Sequence, residues 1–180
     1  MTNPIRRISS RQIHQGNLVR LREDAVVLPR GTQALFEHVQ IKDGVSTLAV
    51  EESGDVWLVR EWKYALNAPS LEVVSGGVEP GEKPLEAAVR ELREEAGLEA
   101  REWIPMGRVD PFTSMLSCAN YLFIARGLTP VEREPEEAEV MEVIRVPLGE
   151  AVQMVMTGGI THGTSCVLIM KAAHQLREMQ

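Results

Sequence analysis

Gly76-Gly77-Val78-Glu79-Pro80-Gly81-Glu82-Lys83-Pro84-Leu85-Glu86-Ala87-Ala88-Val89-Arg90-Glu91-Leu92-Arg93-Glu94-Glu95-Ala96-Gly97-Leu98 is the stretch on which the fold turns. Its glycines and proline ahead of Lys83 dictate a tight loop with exposed backbone groups. Pro84 suits the first helical position, where its missing N–H costs nothing, and Gly97 suits the left-handed position past a helix end. Pro84 to Ala96 is therefore expected to be a helix. At about 100° per residue, Leu85, Ala88, Val89, Leu92 and Ala96 share one face, which must be buried. Glu91, Glu94 and Glu95 fall within a different arc of about 100°, bordered by Arg90.

Acidic helices usually just face water. Here, however, three carboxylates crowd at i,i+3 and i,i+4 spacing, which costs like-charge repulsion unless a cation offsets it. They also lie toward the helix C-terminus, where the macrodipole already disfavours negative charge. A divalent cation resolves both problems, and clustered carboxylate oxygens are the expected ligands of Mg²⁺ or Mn²⁺.

The same stretch resembles, position for position, the box of the Nudix hydrolases. That pattern is Gly, five residues, Glu, seven residues, Arg-Glu, an aliphatic residue, one residue, Glu-Glu, one residue, Gly and an aliphatic residue. Gly76, Glu82, Arg90, Glu91, Leu92, Glu94, Glu95, Gly97 and Leu98 fill it. The resemblance implies that Glu91 and Glu95 are the main metal ligands and that Glu94 is a further ligand or holds metal-bound water. It implies that Arg90 orients the acidic residues by an internal ion pair, that Glu82 supports from the loop, and that the Ser75 carbonyl completes the metal shell. The implied chemistry is hydrolysis of a nucleoside diphosphate linked to another group, with metal ions neutralising the pyrophosphate and activating the attacking water.

Outward from the box, short bursts of alternating residues read as strands. Asn17 to Arg22 and Ala25 to Leu28 are two such bursts, punctuated by Pro29, Gly31 and Gly44. Ser46 to Val50 and Val56 to Arg60 follow, joined by the turn signal Ser53-Gly54-Asp55. Asn120 to Ala125 and Val140 to Val146 complete the set, and Leu148 to Thr157 and Thr164 to Met179 read as helices around Gly158-Gly159. The pattern gives a mixed, layered α+β domain. With the resemblance it becomes a Nudix fold: a mixed β-sheet sandwiched between helices, preceded by an N-terminal antiparallel strand region. The expected division is 1–45 for that region and 46–180 for the hydrolase domain.

The resemblance continues along most of the chain. Trp57 to Tyr64, then Ser70-Leu71-Glu72-Val73-Val74-Ser75-Gly76, look like the ADP-ribose pyrophosphatase and nucleoside-diphosphate-sugar branch, in which a Leu-Glu segment enters the box. Glu136 to Val143 resembles that branch's acidic loop, making Glu137 and Glu139 candidates for general base and Glu139 for an extra metal ligand. The branch commonly carries Ser-Pro-Gly followed by Glu about fifteen residues after the box. Here the stretch reads Asp110-Pro111-Phe112-Thr113-Ser114-Met115-Leu116-Ser117. Another sugar nucleotide, such as GDP-mannose, therefore stays open beside ADP-ribose. Trp62, Tyr64, Phe112 and Trp103 are candidates for stacking on the base, with core packing or a subunit contact equally open. Strand alternation places Trp62 and Tyr64 on one face, and Arg60 and Lys63 are candidates for the phosphates. His14, His38, His162 and His174 show no metal-ligand spacing and read as surface or satisfied histidines, while Met154, Met156, Met170 and Met179 read as helix packing. In this branch the N-terminal strands pair two subunits, so a homodimer is expected.

Composition narrows the alternatives. The 180 residues carry 44% apolar and 25% charged residues and a formal net charge of −7. One domain with a sizeable core is expected, and the acidic balance argues against a nucleic-acid partner. No apolar run approaches the ~20 residues needed to span a bilayer, and the N-terminus lacks a signal-peptide core. Cys118 and Cys166 read as buried free thiols in a reducing compartment, which makes the chain cytoplasmic. Two rivals stand: a Nudix hydrolase of another nucleotide, such as a nucleoside triphosphate or dinucleoside polyphosphate, and a non-catalytic nucleotide-sensing Nudix domain. The intact carboxylates argue against the second.

Overall fold

The structure is a computed structural model, and it describes residues 2–133 and 141–178. In chain order the elements are β1 (Arg6–Gln15), β2 (Arg20–Val27), β3 (Gln33–Gln40), β4 (Gly44–Val50), β5 (Asp55–Lys63), a 3₁₀ turn (Tyr64–Leu66), β6 (Ala68–Glu72) and β7 (Val74–Gly77). Then come α1 (Pro84–Ala96), β8 (Leu98–Val109), β9 (Leu116–Ser117), β10 (Asn120–Pro130), β11 (Met141–Pro147), α2 (Leu148–Thr157) and α3 (Gly163–Glu178). Two compact units result, Met1–Lys42 with Asp110–Ala119, and Asp43–Val109 with Asn120–Gln180. The segment Asp110–Ala119 thus joins the N-terminal strands rather than the residues that flank it.

The first unit is a sheet of order β1-β2-β3-β9, antiparallel except for the short β3–β9 pairing. The two expected bursts around Arg20 to Leu28 are one strand, and β1 was hidden from the sequence pattern. All ten β1 residues are exposed, so no burial imposes alternation on them.

The second unit carries a sheet of order β11-β5-β4-β10-β8, with β6 paired to β5 and β7 to β4. β4 and β10 are parallel and the other pairs antiparallel, so the sheet is mixed. Alternation along β4 and β10 sends Val45, Ala49, Phe123 and Ala125 into clusters with Ala87, Ala88 and Leu92 of α1. Leu48, Val50, Leu122 and Ile124 go the other way, onto Ala151, Ile160, Leu168 and Ile169 of the α2–α3 region. The sheet is therefore sandwiched between α1 on one face and α2 with α3 on the other.

Three local expectations are corrected. Gly76 and Gly77 are the end of strand β7, not loop. Tyr64 lies in the 3₁₀ turn rather than on β5, so it does not share a strand face with Trp62. Cys118 and Cys166 are free but partly exposed rather than buried. The Cys166 thiol, which donates to the Ile160 carbonyl at 3.3 Å, is pushed up in pKa by its partial burial.

Helix α1 keeps its expected ends. Pro84 occupies the first turn, and Gly97, at φ +64°, closes the helix by donating to the carbonyls of Arg93 and Leu92. Its buried face differs from the apolar arc. Ala87, Ala88, Leu92 and Glu95 are buried, whereas Leu85 and Val89 are exposed. At 100° per residue the helix is turned by roughly 80° relative to the purely hydrophobic expectation. The reason is polar: the acidic arc faces strand β7, where Glu95 and Arg90 find partners.

Candidate active site

Arg90 organises the acidic arc by using all five of its N–H donors. Nε and Nη2 grip Glu82 bidentately, at 3.0 Å to Oε1 and 3.1 Å to Oε2. Nη1 donates to Glu91 Oε1 at 2.7 Å and to Glu94 Oε2 at 2.9 Å. Nη2 also donates to the Gly77 carbonyl at 2.9 Å, tying the helix to the end of β7. Glu82 in turn accepts the Glu79 N–H at 2.9 Å and so fixes the turn before the helix. The Glu82 hydrogen bonds are the main cause holding the Arg90 guanidinium above its ordinary pKa, with Glu91 and Glu94 adding to it against partial burial. The expected ion pair and the supporting role of Glu82 thus have a definite geometry.

Glu95 is only 5% exposed and accepts the backbone N–H of Ser75 at 3.1 Å. Glu91 approaches β7 so closely that a Cβ on Gly76 would lie 1.9 Å from its carboxyl carbon. Glycine is required at 76 by this approach and not by its backbone angles. Gly76→Ala should therefore displace Glu91 and lower kcat/KM by about 100-fold, since a displacement of about 1 Å in a catalytic group costs that much. The circular dichroism spectrum should remain native. Wild-type rates in steady-state assays would show that Glu91 moves without consequence.

Glu82, Glu91, Glu94 and Glu95 against the single guanidinium leave a formal −3 on this face. Among the described residues no three His, Cys, Asp or Glu side chains already gather at one point as a metal cluster. The donor chemistry nonetheless fits a divalent cation. The donors are oxygen only and the local charge is in excess, with the Glu91 carboxylate packed against the side-chain-free Gly76. Of the residues expected to hold it, Glu91 packs against Gly76, Glu94 is paired with Arg90, and Glu95 accepts the Ser75 N–H.

Other candidates are placed as follows. Arg60 is engaged by Glu142 across β5 and β11 at 2.7 Å. Lys63 pairs with Glu61. Burial pulls its pKa down, but the Glu61 hydrogen bond and the charges of Glu72, Glu61 and Glu95 outweigh that and raise it. Trp62 is exposed near the end of β5 and Tyr64 is 94% exposed. Phe112 is exposed on the segment that joins the N-terminal unit. Trp103 is partly buried and packs against the core, edge-on to Phe123 with ring centroids 6.3 Å apart. Glu137 and Glu139 lie outside the described residues.

Sequence reasoning missed a polar column behind Ser75. His162 Nδ1 lies 3.1 Å from Glu72 Oε2 and 2.8 Å from Ser165 Oγ, and its Nε2 lies 3.1 Å from Thr164 Oγ1. Ser165 Oγ accepts the Val73 N–H at 3.0 Å, Ser46 Oγ donates to Thr164 Oγ1 at 3.1 Å, and Ser46 Oγ meets Ser75 Oγ at 3.0 Å. Burial, reinforced by the Lys63 charge and opposed by Glu72, lowers the His162 pKa. A carboxylate only accepts, so Nδ1 carries a proton toward Glu72. The one available signal was the polar pair Ser46-Thr47 within an otherwise apolar strand.

Comparison with known proteins agrees with this geometry. Residues 41–161 match the NUDIX domain model, and residues 5–39 match the model of the nucleoside diphosphate sugar hydrolase N-terminal domain. An ADP-ribose pyrophosphatase of Bacillus subtilis (strain 168) is 31% identical over 153 residues, 82% of this chain and 81% of that protein. An ADP-ribose pyrophosphatase of Mycobacterium tuberculosis is 31% identical over 159 residues, covering 86% of this chain and 76% of that protein. A crystal structure described as an ADP compounds hydrolase superposes with a TM-score of 0.88 over 99% of this chain and 97% of the other, at 19% identity, and shares the fold. With the box filled at every position and its carboxylates gathered around Arg90, the chain belongs to the Nudix hydrolase family and carries the N-terminal domain of its nucleoside diphosphate sugar hydrolases.

Proposed function

We propose that this enzyme hydrolyses the pyrophosphate bond of ADP-ribose or a related nucleoside diphosphate sugar, giving a nucleoside monophosphate and a sugar phosphate. The observation that carries the reading is the intact acidic face of α1, locked by Arg90 and set against β7. The names of the two pyrophosphatase relatives and the matching N-terminal domain support the substrate class. Nudix hydrolases depend on a divalent metal, and oxygen-only donors favour Mg²⁺, with Mn²⁺ as a substitute. When bound, the cation supplies charge neutralisation of the diphosphate and activation of the attacking water.

The chain's own part is positioning. Arg90 keeps Glu91 and Glu94 pointed outward from α1, and Glu82 keeps Arg90 in place. Ser75 orients Glu95. Exposed Trp62 and Tyr64 offer π-faces for a nucleobase, and Arg60 and Lys63 are cations for the phosphates. Glu137 and Glu139 stand as general-base candidates by resemblance alone. A water adds to one phosphorus, the anhydride P–O bond breaks, and the departing phosphate carries the bond's electron pair away.

The protein acts as a homodimer joined through its N-terminal sheet. β1 is an edge strand exposed along its whole length, and Ile8, Ile13, Leu18, Leu35 and Phe36 are exposed on that unit. Such an edge and apolar surface mark a pairing face. Light scattering should give about 40 kDa, twice the 20.0 kDa chain; a monomeric mass would refute it. No described helix is long and apolar enough to cross a membrane, and we place the enzyme in the cytoplasm.

The test of the substrate is a panel assayed with Mg²⁺ and with Mn²⁺. It compares ADP-ribose, GDP-mannose, UDP-glucose, NADH, a diadenosine polyphosphate and nucleoside triphosphates by kcat/KM. A sugar nucleotide should turn over best. Preference for triphosphates would move the protein to another Nudix activity, and no turnover at all would favour a sensor.

A further inference from the structure

Among the described residues seven polar or charged side chains are buried, and five of them, Ser46, Glu72, Glu95, Thr164 and Ser165, belong to one connected array behind β7. Burying polar groups in a core is costly unless each finds a partner, so concentrating them in one place calls for a reason other than packing. The array runs from Glu72 and His162 through Thr164 and Ser46 to Ser75 Oγ. A branch runs from His162 through Ser165 to the Val73 N–H. At its end Ser75 Oγ donates to the Val73 carbonyl at 3.0 Å, and the backbone N–H of the same residue donates to Glu95. The links span β4, β6, β7 and the first turn of α3, elements as far apart in sequence as the 118 residues between Ser46 and Thr164.

We propose that His162 is a positioning residue for the metal-binding edge of β7. Its imidazole, oriented by Glu72, anchors Thr164 and Ser165; Thr164 holds Ser46, which meets Ser75, and Ser165 holds the Val73 N–H, and together these fix the backbone that faces Glu95. The inference rests on the reading that Ser75 and Glu95 take part in holding the divalent cation. Groups that orient metal ligands in this indirect way typically change metal affinity by 10- to 100-fold when removed. A merely structural role predicts something else: a lower melting temperature with unchanged metal affinity of the folded protein.

His162→Ala would leave the Glu72 carboxylate buried without the imidazole, so gentler variants carry the test. An Asn side chain at 162 can keep a donor near Nδ1 for Glu72 but cannot reach Thr164. Thr164→Val cuts the same link from the other side. Mn²⁺ binding to the full-length protein, followed by electron paramagnetic resonance of free Mn²⁺, gives a readout independent of turnover. Both His162→Asn and Thr164→Val should weaken Mn²⁺ binding by about tenfold, with melting temperatures within a few degrees of wild type. Thr164→Val also removes the acceptor of the Ser46 hydroxyl, so the double variant should be no weaker than Thr164→Val alone, because His162 acts on Ser46 through Thr164. His162→Gln, whose amide reaches toward the Nε2 position, should recover most of the affinity. Affinities within twofold of wild type in both single variants, or additive losses in the double variant, would overturn the proposal. So would a wild-type protein that binds no Mn²⁺. If the variants behave as expected but no sugar nucleotide is hydrolysed, the substrate reading fails and the positioning role stands.

Discussion

Glu95→Gln should reduce kcat by about 10³-fold while leaving the fold intact, a loss at the upper end of that seen when one group that stabilises transition-state charge is removed. The expectation follows from how Glu95 is held. One carboxylate oxygen accepts the Ser75 N–H at 3.1 Å, and a glutamine oxygen can accept the same bond. The side chain keeps its shape and its buried place on α1, so unfolding should shift by no more than a few degrees. What disappears is a negative charge on the face proposed to hold a cation, and KM for the sugar nucleotide at saturating metal should change far less than kcat. Steady-state kinetics beside a thermal melt separates the two effects. Wild-type rates, or loss of the folded state, would contradict this role for Glu95.

Arg90→Ala should strike both stability and activity. The guanidinium is the common partner of Glu82, Glu91, Glu94 and the Gly77 carbonyl. Removing it leaves three partly buried carboxylates repelling one another, next to a fourth at Glu95. Breaking a fully buried pair from one side costs about 3–5 kcal/mol. Arg90 is 31% exposed, so solvent screening brings the expected loss to about 2–3 kcal/mol. For a chain of this size that corresponds to a melting temperature lower by roughly 5–10 °C. Turnover should fall by about 100-fold because Glu91 and Glu94 lose their common anchor. Arg90→Lys should restore little of either, since one ammonium cannot span four acceptor groups from a single point. A lysine variant with wild-type melting temperature and rate would show that charge alone suffices.

Much of this site was legible in the chain because its parts are close in sequence. Glu82, Arg90, Glu91, Glu94 and Glu95 lie within one turn and one helix, and fixed spacing on a helix fixes geometry. The direction in which α1 faces was not legible from hydrophobicity, since Leu85 and Val89 look like core and are exposed. The polar partners at Ser75 and Gly77 decide that rotation, and they sit on a strand that the sequence presented as a loop. β1 escaped notice because a strand exposed on both faces has no periodicity to read. The 12-residue β8 was missed for a related reason: only Leu98 in it is buried, so its apolar residues do not alternate cleanly. The column from Glu72 to Ser75 lay beyond reach for another reason. Its members come from four distant elements, and a lone His162 or Ser46 carries no local spacing to betray a partner.

On the proposed reading, the acidic face of α1 cleaves the diphosphate of a sugar nucleotide. The most direct measurement quantifies the products formed from ADP-ribose by the wild-type protein at saturating Mg²⁺, with and without a chelator. Equal amounts of AMP and ribose 5-phosphate, released with Mg²⁺ and abolished by the chelator, are the expected result. Release that persists with the metal removed, or no release from ADP-ribose or any other sugar nucleotide, would contradict the account.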